Sequence, residues 1–130
     1  MERELQKIAL ELNYYRAQAE ELQNQIGTLN ALVQENQAAK ESLESLEKNS
    51  GEALFPIGGG VMVKAKPSVQ KVLVEIGAKV IAEKTVSEAI AILDERKEKL
   101  VKTISSVQET LQELGGRMMA LQKKAEEMQK

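Results

Sequence analysis

From Leu5 onward the apolar residues return at alternating steps of three and four, and no other feature restricts the fold of this chain so tightly. One series runs Leu5, Ile8, Leu12, Tyr15, Ala19, Leu22, Ile26, Leu29 and Val33, breaks at Asn36 and Lys40, and resumes at Leu43. A second runs Val86, Ile90, Leu93, then Lys97, then Leu100, Ile104, Val107, Leu111, Leu114, Met118, Leu121, Ala125 and Met128. A mean step of about 3.5 residues keeps one stripe of a helix turned toward a partner helix. Both stretches are therefore predicted to be coiled-coil helices. Composition agrees: 42% of the residues are apolar but only 2% aromatic, so the bulky side chains that fill a compact globular core are missing.

The ends of the two stretches are marked. Asn49-Ser50-Gly51 is a helix stop, and Thr85-Val86-Ser87-Glu88 reads as a capping box that opens the second helix. The expected organisation is an N-terminal coiled-coil helix over 1–50, a connecting segment over 51–84 and a C-terminal coiled-coil helix over 85–130. Each helix would hold about 44 residues and extend about 65 Å. Equal lengths suggest that the chain doubles back into an antiparallel pair. If facing residues have numbers adding to 133, Leu5 meets Met128, Leu12 meets Leu121 and Ile26 meets Val107. That register sets Asn36 opposite Lys97 in one polar layer, a device that fixes register at some cost in stability. Two unrelated, tolerated polar residues would leave the same pattern. Lys40 would face Leu93, its stem packed and its amine in water.

The connecting segment changes character. Ala53–Ile57, Val61–Lys66, Lys71–Ile76 and Lys79–Lys84 are short and rich in β-formers. Gly58-Gly59-Gly60 divides the first two, Gly77-Ala78 the second two, and Pro67-Ser68 breaks between the pairs. Two β-hairpins are predicted, the second on a type II′ turn with Gly77 at its first position. Four strands of about six residues do not make a stable unit alone. Their apolar face (Val61, Val63, Val72, Val74, Ile76 and Val80) and free edges call for other subunits.

Chemistry is restricted by what is missing. The sequence has no cysteine and no histidine, so disulfides, thiolate metal sites, a cysteine nucleophile and the commonest general base are excluded. Gly58-Gly59-Gly60 lies between strands and is not followed by Lys-Ser/Thr, so it reads as a turn and not as a phosphate loop. No catalytic constellation, cofactor site or metal site is expected. A net charge of −2 with interspersed signs gives no footprint for nucleic acid. Lys64, Lys66, Lys71, Lys79 and Lys84 make the β segment mildly basic but lack interleaved aromatics. The opening MERELQKIALEL has no apolar secretory core, and no apolar run approaches the ~18 residues that span a bilayer. A cytoplasmic protein without membrane contact is expected.

The termini of the arms carry another signal. Met118, Met119, Leu121 and Met128 would lie opposite Leu5, Ile8, Leu12 and Tyr15, with Tyr14 just off the seam. Methionine-rich surfaces adapt to irregular apolar partners, although a packed coiled-coil end explains the same residues. Gly115-Gly116 weakens the second helix nearby, which suits an arm able to splay or a tolerated surface pair.

Helix, two hairpins and helix, with Leu54-Phe55-Pro56-Ile57-Gly58-Gly59-Gly60 leading into the hairpins, resembles the alpha-type subunit of prefoldin. Val74-Glu75-Ile76-Gly77-Ala78 through Ala82-Glu83-Lys84-Thr85 and Glu88-Ala89 is similar to that family's second hairpin and helix start. The resemblance spans essentially the whole chain, and its specificity lies in the β segment. It implies a mainly α fold, a long antiparallel two-helix coiled coil with two β-hairpins at the connecting end. It further implies assembly of two alpha-type with four beta-type subunits through a β-barrel platform. Carried over, the platform would use Val61, Val63, Ala65, Val72, Val74, Ile76, Val80 and Ala82. Non-native client proteins would be held at Leu5, Ile8, Leu12, Tyr14, Met118, Met119, Leu121 and Met128 and passed to a group II chaperonin without ATP. The sequence stops soon after Met128, so no tail is expected to add to these contacts. Two other readings stay open: a filament-forming structural relative of prefoldin, and a coiled-coil scaffold for one defined partner.

Overall fold

The computed structural model describes residues 2–48, 51–67 and 70–129. Along them run helix α1 (Glu2–Lys48), strands β1 (Ala53–Gly58), β2 (Val61–Ala65), β3 (Val72–Gly77) and β4 (Val80–Lys84), and helix α2 (Val86–Gln129). The fold is mainly α, two long helices with two small antiparallel β-hairpins. Asn49, Ser50 and Ser68, which the sequence reading used as breaks, lie outside the described residues. The chain divides into two compact units, Met1–Leu32 with Leu100–Lys130, and Val33–Lys99.

Helix α1 opens with Glu2 and Glu4 and closes on Lys48, charges that suit the two poles of its dipole. Helix α2 starts on the predicted capping box. The Glu88 amide donates to Thr85 Oγ1 at 3.1 Å, and the Thr85 amide donates to Glu88 Oε1 at 3.0 Å. The first helical bond follows from Ala89 to the Thr85 carbonyl at 2.9 Å. Donation from the Thr85 amide, then from its side chain, holds the Glu88 carboxyl below its ordinary value.

In the unit built from the chain ends, the predicted stripes are the covered ones. Ile8, Ile104 and Leu114 are buried. Leu5, Leu12, Tyr15, Ala19, Leu22, Ile26 and Leu29 of α1 are half-buried, as are Val107, Leu111, Met118, Leu121, Ala125 and Met128 of α2. Gln18, Leu22 and Gln25 share a groove with Thr110, Leu114 and Arg117, so this stretch of α1 lies beside this stretch of α2.

In the unit Val33–Lys99, two polar contacts fix the direction of the helices. Lys97 Nζ donates to Gln37 Oε1 at 3.0 Å, and Lys40 Nζ lies 3.0 Å from Asp94 Oδ1. Rising along α1 means falling along α2, so the pair is antiparallel. Both pairs add to 134, one more than the predicted register. The reason is side-chain length: a lysine in the seam leaves it sideways and reaches the next residue on the partner's flank. Lys97 therefore bonds Gln37, beside half-buried Asn36. Lys40 meets Asp94, where water alone was expected; that hydrogen bond and the carboxylate's charge raise its pKa above the ordinary value.

Both hairpins follow one plan that the sequence reading did not anticipate. Strands β1 and β2 pair from Ala53↔Ala65 to Pro56↔Met62, then skip Ile57 to reach Gly58↔Val61. Strands β3 and β4 pair from Val72↔Lys84 to Glu75↔Ile81, then skip Ile76 to reach Gly77↔Val80. Each therefore carries a bulge one residue before its glycine. The turn residues are Gly59-Gly60 (φ 58 and 79) and Ala78-Lys79 (φ 46 and 63). Positive φ at both positions is the type I′ condition, which matches the twist of the flanking strands. Gly77 is a bulge residue (φ 127) and not the first turn position. Gly77-Ala78 did mark the turn, but Ala and Lys are rarely left-handed, so no local signal marked its type I′ geometry one residue further on.

Candidate interaction surfaces

The β segment leaves its apolar residues open. Cross-strand partners share a face, so Val72, Val74, Ala82 and Lys84 lie on one side of the second hairpin, and Leu73, Glu75, Ile81 and Glu83 on the other. The first side is half-buried within the chain. A groove of about 360 Å³ runs between β3 and Ala39, Leu43, Ala89 and Leu93. The Arg96 guanidinium, from α2, donates to the Glu75 carbonyl and ties this hairpin to the helix. The second side is open, with Leu73 at 70% and Ile81 at 62% exposure.

The first hairpin is apolar on both sides. Phe55 and Val63 pair on one, with Val61 following in the same alternation, while Leu54, Pro56 and Met62 share the other with Lys64. Leu54, Phe55, Ile57, Val61, Met62 and Val63 are all exposed. Of the predicted platform residues, Val61, Val63, Ile76 and Val80 are exposed, whereas Ala65, Val72, Val74 and Ala82 are half-buried. Leu54, Phe55, Ile57, Met62, Leu73 and Ile81 were not on the predicted interface. Strand alternation did carry the information for Leu73, since it must point opposite to Val72 and Val74.

At the chain ends the predicted client residues divide. Tyr14 and Met119 are exposed, joined by Leu10, which the heptad reading passed over. Leu5, Leu12, Met118, Leu121 and Met128 are half-buried in the seam. Ile8, at 6% exposure, is core and has no free surface to offer while the helices are paired. The Tyr14 ring tilts against Tyr15 with centroids 5.8 Å apart, and its hydroxyl accepts a hydrogen bond from Gln18 Nε2 at 2.9 Å.

Among the described residues no cluster of carboxylates could hold a metal ion, and no helix is long and apolar enough to cross a membrane. What the geometry offers is apolar surface for macromolecules. Comparison with known proteins matches that architecture. Residues 15–130 match the profile of the prefoldin subunit family. The chain belongs to the prefoldin family. It is 33% identical to the prefoldin subunit alpha of Methanospirillum hungatei over 97% of this chain and 86% of that one. The alpha subunits of Methanococcus vannielii (33% identity, 100% and 92% covered) and Pyrococcus horikoshii (33%, 98% and 88%) are similarly close. Among solved structures, the filamentous prefoldin of Methanocaldococcus jannaschii superposes with a TM-score of 0.76 at 26% identity, covering 86% of this chain and 95% of that one. Prefoldin subunits are chaperone components and assemble with other prefoldin subunits. The hairpins' open apolar surface is what such assembly requires.

Proposed function

We propose that this chain is the alpha-type subunit of an ATP-independent, cytoplasmic chaperone that captures non-native proteins on its terminal helix pairs and hands them to a group II chaperonin. The hairpins supply the β-barrel platform of a complex with two alpha-type and four beta-type subunits. The observation that carries this reading is where the exposed apolar side chains sit. On the hairpins they are dense and two-sided; on the terminal helices they are sparser, namely Leu10, Tyr14, Leu32, Val101 and Met119. Dense apolar surface on short strands suits a permanent interface. Isolated flexible or aromatic side chains, repeated over several subunits, suit weak multivalent holding of irregular clients.

The test mixes the chain with a beta-type prefoldin subunit and follows aggregation of a chemically unfolded protein without nucleotide. Suppression is expected, and removing the residues before about Leu12 and after about Leu121 should abolish it while the complex keeps its subunit number. Unchanged suppression after truncation would move the client site to the hairpins. A second reading is supported by the likeness to the filamentous prefoldin: the chain alone builds open-ended assemblies. Electron microscopy of the isolated chain separates the two.

A further inference from the structure

Methionine thioethers are the only sulfur in this chain, which has five methionines and no cysteine. Two of them are neighbours in α2 with opposite surroundings. Met118 is half-buried in the seam, one turn beyond buried Leu114, whereas Met119 is 71% exposed. The residues just before them explain the difference. A helical side chain leans back over the positions three and four residues N-terminal to it. For Met118 these are Gly115 and Leu114; for Met119 they are Gly116 and Gly115. Neither glycine has a side chain, and a Cβ built on either meets no atom within 4 Å. The Met119 thioether therefore lies over bare helix backbone, with nothing to shield its sulfur.

We propose that Met119 is a modification site: hydroperoxides oxidise it to the sulfoxide, and the Gly115-Gly116 pair keeps it open to them. The sulfur lone pair attacks the terminal peroxide oxygen, an S–O bond forms and the O–O bond breaks. Sulfur loses two electrons, the proton on the transferred oxygen passes to the departing one, and water or an alcohol leaves. Two external thiols reverse the step, carrying the oxygen away as water and ending as a disulfide. The sulfoxide turns an apolar side chain polar. On Met119 this changes the surface and spares the seam; on Met118 it would set a polar oxygen beside Leu114. The site stands on this geometry alone. Its consequence rests on the chaperone reading: Met119 is one of the few exposed apolar side chains on the terminal helices, so oxidation weakens the hold on clients and reduction restores it.

The experiment treats the full chain with hydrogen peroxide and follows each methionine by peptide-resolved mass spectrometry. Met119 is expected to oxidise about tenfold faster than Met118. Gly116→Leu places a side chain beneath the thioether and should slow Met119 about threefold, with circular dichroism verifying the helices. If leucine disturbs the helix pair, Gly116→Gln replaces it. Converting Met119 should move the melting midpoint by less than about 2 °C. Equal rates at the two methionines, or a Met119 rate that neither substitution at Gly116 changes, would overturn the site. For the consequence, a Met62→Leu chain, which carries no oxidisable methionine on the hairpins, is oxidised and mixed with a beta-type subunit. It should hold an unfolded protein about twofold less well than its untreated form. Adding Met119→Leu should remove that sensitivity, and an equal loss with Met119→Leu would overturn the consequence. A complex that holds no client before oxidation would overturn the chaperone reading and the consequence together, while the oxidation rates still decide the site.

Discussion

The terminal helix pair and the hairpins are both rich in leucine, isoleucine, valine and methionine, yet those residues end up in opposite situations. In the helices the 3.5-residue period gathers them on one stripe per helix, and the facing stripe covers them: Ile8, Ile104 and Leu114 are buried. In the hairpins the period of two divides them between faces, and two strands have no second layer to place over both. Leu54, Phe55, Met62, Leu73 and Ile81 stay open. Intramolecular burial stabilises the helix pair as a subunit. The hairpin faces left open within the chain can be covered only by other chains. Hydrophobicity alone therefore does not say whether a residue serves folding or assembly; the period and the number of layers do.

The largest effect that could break this contrast comes from matched leucine truncations. Leu114→Ala removes a buried side chain and should destabilise the subunit by about 3 kcal/mol in chemical denaturation. Leu73→Ala removes an exposed one and should stay within about 0.5 kcal/mol of wild type at a dilution where the chain is monomeric. In sedimentation the order should invert, with Leu73→Ala showing the weaker assembly. Equal destabilisation by both would mean that the Leu73 face is already covered within the chain.

The same contrast explains what could be read beforehand. The heptad stripes were legible residue by residue, because each position's partner lies in the same sequence. The capping box was legible because two side chains and two amides close on one another locally. The hairpins were legible as elements, but not the division between their faces. β-branched residues suggested Val72 and Val74 as the interface, and the structure half-buries them against the chain's own helices. That covering is a tertiary contact with no periodic signature. The type of the second turn escaped for a different reason, since Ala78 and Lys79 hold positive φ where Asn or Gly would have signalled type I′.

Glycine offers a sharper form of the comparison, at about 2 kcal/mol. A Cβ built on Gly115 or Gly116 meets no atom within 4 Å, and both lie inside α2. Gly115→Ala with Gly116→Ala should therefore stabilise the helix pair by about 2 kcal/mol in total. In the first hairpin, Gly59 has equal space but φ +58, so Gly59→Ala should cost about 1 kcal/mol. If the helix pair loosens to hold clients, the double alanine variant will melt higher yet suppress aggregation less. A variant that is both more stable and fully active would show that loosening is not used.

The smallest effect lies at the junction where helix α2 begins. Thr85→Ala removes the cap hydroxyl and should cost about 1 kcal/mol by thermal melting. The other half of the box titrates. The folded state holds the Glu88 carboxyl below its ordinary value of 4.5, so its contribution is complete above that value and fades as pH falls through the folded-state pKa. Lys40 is the mirror case. Asp94 raises it above 10.5, so its contribution is complete below 10.5 and is lost as pH rises through the folded-state pKa. The acid-side loss should be smaller in Glu88→Gln, and the alkaline-side loss smaller in Lys40→Met, each measured against wild type over the same pH range. Neither change should alter assembly near neutral pH, where Glu88 is ionised and Lys40 protonated. Because Thr85 and Glu88 sit immediately beside β4, a fall in assembly with intact helicity in Thr85→Ala would show instead that the cap also orients the hairpin. In that case the division between a self-sufficient helix pair and a partner-dependent β segment would not hold at their junction.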